Sequence, residues 1–210
     1  MGATMKKTSR SKTVRFPVLT PARLRPAQRK LARSLLAGPR GQGKANREAV
    51  RWLLNRGPFN AWMRSPELGE HLQKAGEYIR FRTSLPKRLN ELAILITARH
   101  WTSQFEWYAH RLLALKVGLR ASVIDQLALG RRPRGMKRDE AVVYEFCTEL
   151  HRSRKVSDAR YRRAVALVGE QGVMDLIGAS GYYTLVSMTL NVAQVPVPAG
   201  EKVPLRPLRR

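Results

Sequence analysis

Apolar residues recur along most of this chain at helical rather than strand spacing. Leu31, Leu35 and Leu36 predict a basic amphipathic helix over 26–36 that Gly38-Pro39 stops. A Gly-rich basic loop over 38–44 follows, then a short helix over 46–54 and a turn at Gly57-Pro58. Ser65-Pro66 is a good N-cap and first-turn pair, opening a helix through Leu68, Leu72 and Ile79 that fades at Thr83-Ser84. The helix after Pro86 is apolar on all sides over 92–96, which predicts a buried element running to about His100.

Further helices are expected from Thr102 or Ser103 to Val117 with Gly118 as the stop, and over 121–129 ending at Gly130. Past a basic linker at 131–138, Val142, Phe146 and Leu150 fall at four-residue intervals and mark an amphipathic helix over 139–152. Ser157 caps a helix through Tyr161, Val165 and Leu167 to Gly169, and 173–192 supplies a long, largely apolar last one. There Gly178, Ala179 and Gly181 would permit close helix approach. No segment alternates with period two between hairpin turns, so the expected fold class is all-α.

Composition limits this picture without redrawing it. With 210 residues, 43% of them apolar, the chain can bury one substantial core. Its formal charge of +25 is unevenly spread. Residues 1–51 carry fourteen Lys or Arg against Glu48 alone, whereas 52–200 carry twenty-two against thirteen acids. We therefore expect a basic arm with the first helix over 1–45, a helical domain over 46–198 and a basic, proline-rich tail over 199–210, both ends being mobile extensions. The single cysteine, Cys147, excludes an internal disulfide, a cysteine-based metal cluster and a two-thiol redox cycle within one chain. The first twenty residues lack a signal-peptide apolar stretch, and Asp175 interrupts the best apolar run. A cytoplasmic protein with no membrane span is the expectation.

The chemistry concentrates in Ser103-Gln-Phe-Glu106-Trp-Tyr-Ala-His110. Ser103, Glu106 and His110 fall at i, i+3 and i+7, on one helical face. A carboxylate and an imidazole one turn apart can exchange a proton, and a buried carboxylate would raise the histidine's pKa. Ser103-x-x-Glu106 also matches a capping box that merely satisfies backbone donors, and a lone histidine is more often a core or interface group than a catalyst.

Three further stretches bear on this choice: Pro86-Lys-Arg-Leu-Asn-Glu91-Leu-Ala, Ala98-Arg-His100-Trp101, and Gly181-Tyr182-Tyr183 with Leu190-Asn191. Together with Glu106-Trp-Tyr-Ala-His110, they resemble the carboxymuconolactone decarboxylase and alkylhydroperoxidase-D superfamily over roughly 58–198. The resemblance implies an alkylhydroperoxidase-D-like helical bundle. In the peroxidase branch a Glu precedes a Cys-x-x-Cys pair by one helix and a His follows four residues after it. Glu91 and His110 match that Glu and His, while Ser103 and Glu106 stand where the cysteines would be. Thiol peroxidase chemistry is thus not carried over.

What remains resembles the decarboxylase branch, which uses no metal or organic cofactor. The resemblance implies loss of carbon dioxide from a small lactone acid, with His110 as proton donor, Glu106 orienting it and Glu91 contributing from the neighbouring helix. Ser103, His100 and Tyr182 are the expected substrate-binding residues. It also implies a homo-oligomer, whether dimer, trimer or hexamer. The competing expectations are an alkylhydroperoxidase-D-like protein without thiol chemistry, and a non-catalytic oligomer that binds polyanions weakly through residues 1–45.

Overall fold

A computed structural model describes residues 15–41 and 46–208. Among these residues every regular element is helical, and none is a strand. The order is α1 (Pro26–Ala37), α2 (Arg47–Leu54), α3 (Phe59–Trp62), α4 (Pro66–Glu77), α5 (Lys87–His100), α6 (Gln104–Lys116), α7 (Ala121–Ala128), α8 (Arg138–Ser153) and α9 (Asp158–Ala193). The last turn of α4 widens into a π-helical turn, Tyr78–Arg82. The short α3 and this π-turn are too brief to leave a periodic signal in the sequence.

The element that reads as apolar on all sides is the centre of the fold. Every residue of α5 from Leu89 to Arg99 is buried, and α5 packs against α6, α7, α8 and α9. It has no polar face to present because neighbours surround it. Two devices set its entry. Asp175 of α9, buried, accepts hydrogen bonds from the Thr83 hydroxyl at 2.9 Å and from the Ser84 amide and hydroxyl at 2.7 Å each. Arg88 forks onto α8, donating to Asp139 at 2.7 Å and to the buried Glu140.

Helix α9 is broken at Gly169, whose φ of 68° and ψ of 176° no L-residue adopts without strain, so the two expected helices meet at the expected glycine. Its second half begins earlier than its apolar pattern suggests. Close approaches involving glycine fall elsewhere than predicted. A Cβ on Gly178 or Gly181 would meet nothing, whereas one on Gly172 would lie 2.4 Å from the Val168 Cβ. The exposed Met174, Ile177, Met188 and Val192 run along the same open side of α9.

Both domain boundaries drawn from composition shift. Helix α1 belongs to the core, because Leu31, Ala32, Leu35 and Leu36 are all buried and the helix packs on α4. Its basic residues occupy only the opposite face. Residues 1–14 of the expected arm lie outside the described residues. The C-terminal segment docks rather than extending free: Leu205 is buried, its N–H donates to the Gln104 side-chain oxygen at 2.9 Å, and its carbonyl accepts from the Gln104 amide at 2.8 Å. Arg99 donates to the Arg206 carbonyl at 2.9 Å. One apolar side chain and three hydrogen bonds to its backbone hold the segment that prolines and charges suggested would be free. No described helix is long and apolar enough to cross a membrane.

Candidate acid–base site

A tight turn joins α5 to α6. Thr102 takes a φ of 48° there, and the Ser103 amide donates back to the Ala98 carbonyl at 2.9 Å. The turn folds α6 onto α5 and brings Glu91 against His110, nineteen positions away. The His110 Nδ1 lies 2.6 Å from the Glu91 Oε2, and its Nε2 lies 2.9 Å from the Glu106 Oε1. All three side chains are buried. Tyr183 of α9 closes the cluster, its ring meeting the imidazole edge to face at 5.0 Å between centroids.

Electrostatics follow from this enclosure. Burial alone would lower the His110 pKa, but the charges of Glu91 and Glu106 and the hydrogen bonds to both outweigh it and raise it to about 9. The enclosure thus favours the protonated form of His110, held by Glu91 and Glu106. Burial pushes the Tyr183 hydroxyl well up, and the Glu106 charge adds to the rise. The Tyr182 hydroxyl is also raised by burial, with Arg40 and Arg80 pulling it down and Glu106 pushing it up. Glu106 is thus the carboxylate felt by both tyrosines. Glu91, from the central helix, also raises Tyr183.

Of the residues singled out in the sequence, the fold brings Glu91, Glu106 and His110 together. The capping-box alternative is not realised: Ser103 precedes α6 but its side chain makes no cap, and its fully buried hydroxyl has no hydrogen-bond partner. The carboxylate that would have completed the box turns to the imidazole instead, since the Ser103 amide it would have capped already donates to the Ala98 carbonyl. His100 lies elsewhere. It stacks on His151 of α8 at 4.8 Å, and the His151 Nε2 sits 2.9 Å from the Thr97 hydroxyl. Tyr182 occupies a layer beyond Tyr183, with ring centroids 5.2 Å apart. Cys147 is buried in α8 with its thiol 3.8 Å from the Ser180 hydroxyl, and burial pushes its pKa to about 12. It is not a nucleophile at neutral pH.

Both ring nitrogens of His110 are held by carboxyl groups, so neither is free toward a third partner. Sequence reasoning missed Tyr183 as a wall of the site. Its only signal was its place beside Tyr182 one turn after a serine in a buried helix.

Two surface cavities lie apart from this cluster. An apolar groove of about 390 Å³ runs between Trp62, Leu68, Met188 and Val192, and a neighbouring one of about 340 Å³ is lined by Arg15, Asn55 and Gln194. No protein-family profile, curated protein or solved structure matches the chain.

Proposed function

We propose that this protein is a cofactor-free acid–base catalyst of the carboxymuconolactone decarboxylase type, acting on a small organic acid. The single observation that carries this reading is the buried Glu91–His110–Glu106 relay, a proton held at a site built from two helices and closed by Tyr183. Apolar residues of equal volume could replace a buried carboxylate–imidazole–carboxylate array with little loss of stability, which makes its presence a pointer to a functional site. The resemblance of the α5, α6 and α9 segments to that superfamily points the same way.

In the reaction proposed, the bond between carbon and the substrate's carboxylate breaks and carbon dioxide leaves. The electron pair passes into the adjacent lactone π system. Glu106 hands a proton drawn from His110 to the carbon of that system where the pair comes to rest, forming the new C–H bond, and solvent later restores the proton to the relay. General acid catalysis of this kind contributes about 10²–10⁴-fold to rate. With carboxymuconolactone as substrate, His110→Asn should therefore lower kcat by at least about a hundredfold. Turnover equal to wild type in that variant would remove the role assigned to the relay.

A second reading, a non-catalytic oligomer, is favoured by the exposed apolar residues Met174, Ile177, Met188 and Val192 on the open side of α9. A wild-type protein inert toward lactone acids, yet larger than a monomer by light scattering at two concentrations, would support it over catalysis.

A further inference from the structure

Charge is divided as unevenly in the fold as along the chain. Between Arg15 and Arg56 the described residues include ten Lys or Arg against Glu48 alone. Every ion pair among the described residues lies beyond that stretch. Around α8, by contrast, Glu145 holds Arg132 and Arg163, and Glu149 holds Arg160. No acidic residue precedes Glu48 in the sequence, so residues 1–14 and 42–45 have no carboxylate side chain to offer. On α4, Glu70 is already engaged by the Ser34 hydroxyl at 2.8 Å and by Lys74 at 3.5 Å.

The fold turns this unpaired charge into a surface. Burial of Leu31, Ala32, Leu35 and Leu36 leaves Arg29, Lys30 and Arg33 exposed on the outward face of α1, within about 100° of one another around its axis. Helix α2 packs against α1 and against the 3-10 turn Pro21–Arg23, burying Leu53 and Leu54 and leaving Arg47, Arg51, Trp52 and Arg56 exposed. The outward faces of the two helices therefore adjoin. Arg23 and Arg25, also exposed, lie where that turn runs into α1. Trp52 keeps 43% of its surface open, and the Arg56 guanidinium covers one side of its ring at 4.8 Å from the centroid.

What this face has and lacks selects its partner. Cations without carboxylates beside them are matched by a chain of phosphates, which gives up its own counterions on binding. A lipid surface suits it poorly, because a helix lying on a membrane inserts its apolar side, and that side of α1 is buried in the core. An exposed indole with a guanidinium over it is a platform for an unpaired base, a contact that every base can make. We propose that the outward faces of α1 and α2 bind single-stranded nucleic acid without sequence preference. Arg29, Lys30, Arg33, Arg47 and Arg51 contact phosphates, while Trp52 and Arg56 stack a base. None of these residues belongs to the acid–base cluster, and the binding holds whether or not that cluster is catalytic.

The test follows the fluorescence anisotropy of a labelled oligothymidylate of about twenty nucleotides, titrated with the full chain at several salt concentrations. Arg29→Gln, Lys30→Gln and Arg33→Gln combined should weaken binding at least about tenfold and flatten the plot of log Kd against log salt by about 2, as three lost single-strand phosphate contacts require. Removing the same charge from the exposed α8–α9 corner, with Arg152→Gln, Lys155→Gln and Arg162→Gln combined, should leave affinity and slope nearly unchanged. Trp52→Leu should weaken the oligonucleotide about fivefold or more at unchanged slope. The same variant should bind inorganic polyphosphate, which has no base to stack, and a duplex, whose bases are already stacked, as wild type does. Equal weakening by the two triple variants would reduce the effect to net charge and overturn the proposal. So would wild-type affinity for the oligonucleotide in Trp52→Leu, or capture by phosphatidylglycerol vesicles without binding of the oligonucleotide.

Discussion

Helix α5 carries a histidine partnership near each end, and the two are electrostatic opposites. Near its start, Glu91 helps to hold His110 charged between two carboxylates. At its end, His100 stacks on His151, which Thr97 holds, with no carboxylate in the pair. Burial lowers the pKa of both His100 and His151, and the neighbouring His100 lowers His151 further, to about 4. The same side chain is therefore a stored proton in one place and a neutral packing ring in the other. What differs is whether the surrounding helices supply negative charge, since burial disfavours the charged form in both.

The largest effect expected from breaking this contrast is His110→Leu. It leaves two buried carboxylates without their cation and should cost about 3–5 kcal/mol of stability in urea unfolding. A loss below about 1 kcal/mol would mean that the carboxylates reach water or take up protons easily. Next comes the alkaline limb. The folded pKa of His110 is raised above its unfolded value, so its contribution is fully present below about pH 6.5 and is lost as pH rises through about 9. That contribution is on the order of 3 kcal/mol. Stability followed from pH 7 to 10 should fall in wild type, and the limb attributable to this group should vanish in His110→Asn. The last effect, a similar displacement at an imidazole only partly buried and so more screened by water, belongs to the stacked pair, whose sign is reversed. Folded values depressed below the unfolded one give stability that is present above about pH 6.5 and declines as pH falls toward about 4. His151→Phe keeps the stack and should flatten this acid limb while leaving the alkaline one untouched. Flattening of both limbs together would mean that the two ends of α5 titrate as one unit.

How much of this could be read beforehand depended on how local each signal was. Ser103, Glu106 and His110 share a face by spacing alone, and α5 declared its central place by having no polar side. Glu91 came through resemblance, because no periodicity links residues across a turn. Tyr183 was obscured by Tyr182: adjacent aromatic residues on a helix point about 100° apart, and only packing decides which one reaches the imidazole. Arg40 and Arg80 sit after a Gly-Pro stop and in a π-turn, where helical register is lost, so nothing in the pattern placed them near Tyr182. The docked Leu205 was hidden by prolines and charges that usually mark free ends. Gly178 and Gly181 misled in the opposite sense, because small residues allow close approach without requiring it.

The clamp between Gln104 and Leu205 has a consequence for the order in which a ribosome delivers the parts. Glu91, Glu106 and His110 leave the exit tunnel well before Tyr183, and Leu205 follows last. At about 5–20 residues per second, several seconds separate the charged trio from the ring that covers it. During that interval α5 and α6 can pair, but the trio lacks the ring of α9 that closes over it.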